Sequence, residues 1–168
     1  FHLGMDKESP RFVAGQKACH YIVIRQHDLW WHDLKFLAAA AARHGARPWV
    51  WSDYYWDQPA DFLANMPRSI VQSNWYYRKP SGKLPPRGAT WGRNWVETFR
   101  DLSAQGYDQV PAASTCVYPE NFRDIVRHCR RRIDPGRLPG FMQTTWRPTL
   151  KEYRAEHLAA LEQMGRVI

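Results

Sequence analysis

Two acidic side chains near the start of the chain are the first candidates for chemistry. Asp6 and Glu8 flank Lys7 directly after the short apolar stretch that begins the sequence. Consecutive residues of a strand point to opposite faces, so Asp6 and Glu8 would share one side of it. Paired carboxylates at a strand end suit general acid and base catalysis, or the binding of sugar hydroxyls. A solvated turn with a local ion pair is the alternative interpretation.

A third acid, Asp53, lies between Trp51 and Tyr54. Aromatic rings can stack on the apolar face of a sugar, while a neighbouring carboxylate accepts hydrogen bonds from its hydroxyls. We therefore predict that Asp53 is a third catalytic residue and that Trp51 and Tyr54 bind the substrate. The alternative is that Asp53 caps a helix or a turn.

Five further residues complete the predicted site. Trp75 and Trp146 end two other runs, where their rings can wall a sugar-sized pocket or simply pack over the end of the sheet. His2 precedes the first acid by four residues and can hydrogen-bond to it, or it can be a satisfied imidazole in the core. Asn74 and Gln143 can add hydrogen bonds to a ligand.

These residues belong to short runs that share one pattern. Each run is short and finishes in an acidic, aromatic, amide or hydroxyl residue, and helical patterns separate most of them. This alternation is typical of βα units on a parallel sheet, where ligands bind at the carboxyl ends of the strands. The runs are 1–8, 47–53, 68–75, 107–114 and 140–146. We expect one site to gather Asp6, Asp53, Trp75, Ser114 and Trp146.

Hydrophobic residues at spacings of three and four predict the helices of this α/β fold. The first helix, 28–44, has an apolar face that begins with Leu29 and Trp30, and Gly45 is expected to follow its end with a positive φ. Thr149 and Glu152 match a capping box, which predicts the start of the final helix. Further helices are expected at 59–65, 95–105 and 121–133.

The chain has 168 residues, which suits one domain, but the pattern yields only about five βα units. A complete eight-unit barrel needs ~250 residues. The sequence also begins inside an apparent strand. We therefore expect residues 1–168 to form one partial (β/α)8 domain that lacks N-terminal units. A partial barrel exposes two sheet edges, which favours a homo-oligomer or pairing with the missing half.

The chain carries a net charge of +8, and arginines crowd the predicted helix 121–133. A basic chain rich in aromatic residues can bind nucleic acid through phosphate contacts and base stacking. Here the arginines belong to a helix and the aromatic residues to strand ends, which are different surfaces of a βα fold. We therefore interpret the cluster as a solvated helix face and predict no nucleic-acid partner.

No metal, cofactor or membrane partner is predicted. His27 and His32 are five residues apart, which does not place two imidazoles on one helix face. Three widely spaced cysteines match neither a zinc site nor a disulfide framework. Phosphate-binding, dinucleotide-binding and serine-nucleophile motifs are missing, as is an apolar run of ~20 residues. The compartment stays unknown, with extracellular and periplasmic locations both open.

The segment His2-Leu3-Gly4-Met5-Asp6 resembles the H-x-G-x-D-E motif on strand four of glycoside hydrolase family 20, the β-N-acetylhexosaminidases. The later runs are similar in order, with 49–53 followed by runs that end at Trp75 and Trp146. The resemblance implies strands four to eight of a TIM-type (β/α)8 barrel. It also implies hydrolysis of terminal N-acetylhexosamine, with the acetamido group of the substrate as nucleophile. Asp6 would orient that group, and the two tryptophans would wall the pocket.

Three departures from the family pattern bear on activity. Lys7 occupies the position of the general-acid Glu, and a lysine with its usual pKa of ~10.4 cannot take that role. Trp146 is followed by Arg-Pro where the family has x-Glu, and strand seven lacks the expected Tyr and Asp. Either Glu8 or Asp53 supplies the acid, or the chain is a relative with altered chemistry. The alternatives are a non-catalytic carbohydrate-binding barrel and a different barrel enzyme.

Overall fold

The computed structural model describes residues 1–5, 28–80 and 93–168. The predicted catalytic residues Asp6 and Glu8 lie outside these ranges, and so does Lys7. The described residues divide into two compact units, Phe1–Ser73 and Asn74–Ile168. None of the helices in the described ranges combines the length and the apolar character needed to cross a bilayer.

Helices and short strands alternate along the described chain. The N-terminal unit contains α1 (Asp28–Arg43), β1 (Trp49–Trp51), α2 (Asp53–Asp57), α3 (Pro59–Asn65) and β2 (Val71–Ser73). The C-terminal unit contains α4 (Arg93–Ala104), β3 (Ala112–Ser114), α5 (Asn121–Arg130), β4 (Met142–Thr144) and α6 (Arg154–Val167). Two 3₁₀ turns, Pro135–Arg137 and Lys151–Tyr153, precede β4 and α6.

The strands of the N-terminal unit are parallel and follow the order of the chain. The opening stretch pairs with β1 through a parallel bridge between His2 and Trp49. The backbone N–H of Leu3 donates to Trp49 O at 2.7 Å, and Trp51 N–H donates to Gly4 O at 3.2 Å. Strand β1 pairs in turn with β2. The opening stretch, β1 and β2 therefore lie side by side in one direction.

The C-terminal unit repeats this arrangement. Trp75 forms a parallel bridge with Ala112 of β3, and β3 pairs in parallel with β4 so that Ala113 faces Gln143. The predicted α/β class with parallel strands is confirmed. Each named strand is only three residues long, which is shorter than the runs from which it was predicted.

The helix cores and helix ends follow local sequence rules. Helix α4 buries Val96, Phe99 and Leu102, and the apolar face predicted for 121–133 is buried along α5. Gly45 and Gly106 follow α1 and α4 with φ of 70° and 80°. Glycine reaches this left-handed region without a Cβ clash, which is why these helices end where they do.

The buried face of α1 is rotated from the predicted one. Leu29 is 62% exposed, while Trp30, Trp31 and Leu34 are buried. The indole N–H of Trp31 donates to Asp61 at 2.9 Å, which is a contact with α3. The prediction that Leu29 belongs to the buried face was therefore wrong. Apolar spacing alone could not reveal the contact between Trp31 and α3, which turns Trp31 inward and Leu29 outward.

The start of the final helix also differs from the prediction. The chain first forms the 3₁₀ turn, in which Tyr153 N–H donates to Leu150 O at 3.1 Å, and α6 begins only at Arg154. The capping box predicted from Thr149 and Glu152 does not start α6, because the helix begins beyond both residues. Leu158 and Leu161 of α6 are exposed.

Candidate functional site

In the N-terminal unit, His2 and Trp51 are in contact. The His2 ring lies 4.8 Å from the rings of both Trp49 and Trp51, which share one face of β1 because they are two residues apart. Nδ1 of His2 accepts a hydrogen bond from Gly4 N–H at 2.9 Å. A neutral His2 therefore carries its proton on Nε2. The His2 imidazole therefore packs against two indole rings of β1, the strand beside the opening stretch.

Asp53 follows β1 directly and opens the short helix α2. Its side chain is buried, with 2% of the residue exposed. Ser52 occupies the N-cap position, so Asp53 lies in the first turn, where a negative charge is favoured by the helix dipole. The carboxyl group therefore sits at the carboxyl end of β1, as predicted from its place in the run.

Tyr54 contributes to a cluster that the sequence did not reveal. Its hydroxyl donates to Asp61 Oδ2 at 2.5 Å, and the same oxygen accepts the Trp31 indole N–H at 2.9 Å. Asn65 donates its amide N–H to the other oxygen, Oδ1, at 2.8 Å. The Asp61 carboxylate thus joins α1, α2 and α3. Only the spacing of four between Asp61 and Asn65 is visible in the sequence, because the other partners are distant.

Aromatic rings pack against one another beside the Asp61 carboxylate. The Trp30 ring lies 4.6 Å from both Trp31 and Tyr54, and Trp31 lies 5.1 Å from Tyr54. Burial, the hydrogen bond to Asp61 and the charge of Asp61 together raise the pKa of Tyr54 to about 12, although the Trp31 contact acts in the opposite direction. The Tyr54 phenol therefore stays neutral at physiological pH. It anchors the residue next to Asp53 to α3.

In the C-terminal unit, the two predicted pocket tryptophans meet through a shared tyrosine. The Trp75 ring stacks on Tyr77 at 4.8 Å and 26°, and Tyr77 lies 6.3 Å from Trp146. Trp95 packs edge-on against Trp75 at 5.0 Å. Trp75, Tyr77 and Trp95 are buried, whereas Trp146 is 56% exposed. Trp146 is therefore the ring of this cluster that a ligand could reach.

The two predicted amide residues have different surroundings. Asn74 is buried and donates to Trp95 O at 2.7 Å, which holds the beginning of α4. Both polar atoms of the Gln143 amide are buried and have no hydrogen-bond partner within the described ranges. Trp75 is paired with Ala112, and Ala112 is paired with Met142, so the side chains of Trp75 and Met142 lie on the same face of the sheet. Gln143 follows Met142 in the strand and therefore points to the opposite face. An unsatisfied buried amide is a feature that a ligand could satisfy.

Ser114 at the end of β3 is held by an asparagine that was not predicted as functional. Its backbone N–H donates to Asn121 Oδ1 at 2.9 Å, and its hydroxyl accepts from Cys116 N–H at 3.1 Å. The Asn121 amide also donates to Tyr76 O at 3.0 Å and Arg78 O at 2.9 Å. Asn121 therefore ties the end of β3 to the segment that follows Trp75.

Two other features lie apart from these clusters. A cavity of about 720 Å³ is lined by α1 and by the residues that precede β1 and β2, so it lies at the amino ends of the strands and contains none of the predicted site residues. Among the residues that the structure describes, no three His, Cys, Asp or Glu side chains are grouped to hold a metal ion. His32 contacts Asp33 at 3.2 Å on the exposed face of α1.

Neither a scan against protein-family models nor a search of curated proteins finds a match for this chain. Functional evidence therefore comes from its own residues. In each unit, aromatic and polar residues lie at or just beyond the carboxyl ends of strands: Trp51, Asp53 and Tyr54 in the N-terminal unit, and Trp75, Tyr77, Ser114 and Trp146 in the C-terminal unit. His2 lies instead beside Trp49, the first residue of β1, although its ring also contacts Trp51.

Proposed function

We propose that the chain is the C-terminal part of a (β/α)8 barrel related to glycoside hydrolase family 20. In this proposal it acts on glycans that contain N-acetylhexosamine and hydrolyses their O-glycosidic bonds. The main support is the H-x-G-x-D segment together with its surroundings. Residues 1–4 hydrogen-bond in parallel with β1, and Asp6 comes soon after them in the sequence.

Strand order supports the barrel part of the proposal. In both units, runs that are consecutive in the chain are neighbours and run in parallel. A barrel adds strands in chain order, whereas a doubly wound sheet reverses its order at a switch point. The sequential order within each unit is therefore the arrangement expected for strands four to eight.

The proposed chemistry uses the acetamido group of the substrate. Its carbonyl oxygen bonds to the anomeric carbon while the bond to the leaving oxygen breaks, and an enzyme acid protonates that oxygen. Water then attacks the anomeric carbon, the bond between that carbon and the acetamido oxygen breaks, and the water gives a proton back to the enzyme group. Asp6 orients the acetamido group, and Glu8 or the buried Asp53 supplies the acid. In the C-terminal unit, the exposed Trp146 ring offers a surface on which a sugar ring can stack.

A carbohydrate-binding relative without catalysis is the second candidate. It is favoured by Lys7, which occupies the position of the general acid, and by Arg147-Pro148 after Trp146. Both proposals require sugar recognition, and they differ only in turnover. A pocket formed with N-terminal βα units, or with a second copy of the chain, is compatible with either one.

Hydrolysis of chromogenic N-acetyl-β-glucosaminides separates the two candidates. If the chain is catalytic, Asp6→Asn should lower kcat/KM by about 100- to 10,000-fold. Either Glu8→Gln or Asp53→Asn should have an effect of the same size, depending on which of the two residues is the acid. Asp101→Asn is the matched control, because Asp101 forms a surface pair with Arg100. Hydrolysis that is unchanged in all three variants would rule out the assigned site.

A second variant asks whether the site has lost its acid. If Lys7 replaces the general acid of an inactivated enzyme, Lys7→Glu should create hydrolysis in a chain that otherwise only binds the sugar. Binding without turnover in both the original chain and the Lys7→Glu variant would support the non-catalytic candidate. Binding of no sugar on a broad glycan array would favour a different barrel enzyme.

A further inference from the structure

The exposed ring of the proposed site stands on an unusual backbone. Trp146 has a φ of 51°, in the left-handed region that a residue with a bulky side chain rarely adopts. It lies two residues beyond the end of β4. Such a conformation persists only when the surrounding contacts hold it in place. The residues on either side of Trp146 should therefore have identifiable restraints.

One histidine of α6 contacts both sides of this segment. Nδ1 of His157 lies 3.0 Å from Thr145 Oγ1, and Nε2 lies 3.1 Å from Pro148 O. A carbonyl oxygen only accepts, so Nε2 carries a proton and donates it to Pro148 O. In the neutral ring, Nδ1 then accepts from the Thr145 hydroxyl. A single imidazole thus spans the turn that contains Trp146.

Other contacts of the segment are weaker. Arg147 Nε lies 3.8 Å from Glu156 Oε2, with both side chains about half exposed, and surface pairs of this kind restrain little. The ring of Tyr77 lies 6.3 Å from Trp146 and limits it on one side. Among the residues that the structure describes, the two hydrogen bonds of His157 are therefore the main directional restraint on residues 145–148.

We propose that His157 is a positioning residue for Trp146. It holds the left-handed turn so that one face of the indole is presented to an N-acetylhexosamine ring. This inference rests on the proposed function for its ligand, but the positioning itself can be measured without any ligand. Without His157 the turn must be ordered during binding, so sugar affinity should fall about two- to tenfold.

Fluorine NMR of the full chain labelled with 5-fluorotryptophan tests the positioning. The nine tryptophans give nine signals, and loss of one in Trp146→Phe assigns the ring of interest. His157→Ala is expected to shift and broaden the Trp146 signal while the other signals stay in place. His157→Gln, whose amide can still donate to Pro148 O, should restore part of the original signal. His32→Ala is the control, because the His32 side chain is exposed and its imidazole pairs with the neighbouring Asp33.

The outcomes separate this inference from the proposed function. An unchanged Trp146 signal in His157→Ala would overturn it, and so would a shift of many tryptophan signals together, which would mean general support of the fold. Titration with tri-N-acetylglucosamine should show weaker binding to His157→Ala, with recovery in His157→Gln. If the original chain binds no sugar, the proposed function fails. The NMR result would still decide whether His157 positions Trp146.

Discussion

Replacing Asp61 with asparagine should destabilise the N-terminal unit far more than a change of similar size at the surface. The carboxylate accepts hydrogen bonds from Trp31, Tyr54 and Asn65. Asparagine is uncharged and has only one acceptor oxygen. It can keep weaker, neutral hydrogen bonds from Trp31 and Tyr54, which both donate to Oδ2, but it loses the bond that Asn65 donates to Oδ1. We expect the free energy of unfolding to fall by about 2 kcal/mol, and by about 3–5 kcal/mol in Asp61→Ala.

The same change should alter the titration of Tyr54. Its pKa of about 12 reflects burial and the neighbouring carboxylate, so Asp61→Asn should lower the pKa toward 10. A pKa that is raised on folding gives stability that is complete below the unfolded pKa of ~10 and is lost as pH rises toward 12. After allowance for solvent screening at the partly exposed phenol, that stability amounts to about 1–2 kcal/mol.

Chemical denaturation measures the first effect, and ultraviolet titration of tyrosinate measures the second. The difference between the titrations of the original chain and Tyr54→Phe isolates the Tyr54 phenol. Asp101→Asn is the control for stability, because its partner Arg100 is half exposed and such pairs contribute about 1 kcal/mol or less. The reasoning is refuted if Asp61→Asn costs no more than Asp101→Asn, or if Tyr54 in the original chain titrates near 10.

Three further changes test other parts of the fold. Asn121→Ala removes one acceptor and two donor bonds in a buried setting, so unfolding by denaturant should become about 2–4 kcal/mol easier. Alkylation of the native protein should modify Cys116 at least about tenfold faster than Cys129, because burial raises the pKa of the Cys129 thiol. Peptide mass spectrometry measures both rates, and equal rates would contradict the buried position of Cys129. Burial, and to a smaller extent the charge of Arg132, lowers the pKa of His128. Arg132→Gln should therefore raise the pKa of His128 in an NMR titration. The folding stability that the neutral imidazole contributes is lost as pH falls below ~6.5.

Local signals in the sequence predicted five of the six α-helices in the described part of the chain, but not α2. Helix α3 has the predicted bounds, Pro59–Asn65, since proline in the first helical turn and a short apolar pattern are sufficient to define it. Gly45 and Gly106 follow their helices with positive φ for a reason that is also local. The strands were predicted too long, because their ends depend on hydrogen bonds to neighbouring strands and not on their own residues.

The polar clusters could not be predicted for the same reason. Asp61 interacts with Trp31, which is 30 residues away, and Asn121 with Tyr76, which is 45 residues away. No periodic pattern relates such positions. The strand-end rule did indicate that Trp75 and Trp146 belong together, and both contact Tyr77. It gave no register, so it could not predict that Gln143 and Trp75 point to opposite faces.

Calorimetric titration of the full chain with tri-N-acetylglucosamine tests the central proposal most directly. The matched ligand is a glucose trisaccharide of the same linkage, which carries hydroxyl groups in place of the acetamido groups. We expect the chain to bind the acetamido sugar and not the glucose trisaccharide. Trp146→Ala should lower the affinity for the acetamido sugar about tenfold, and Asp6→Asn should also lower it. Equal affinity for the two sugars, or no binding of either, would contradict recognition of N-acetylhexosamine at the strand ends.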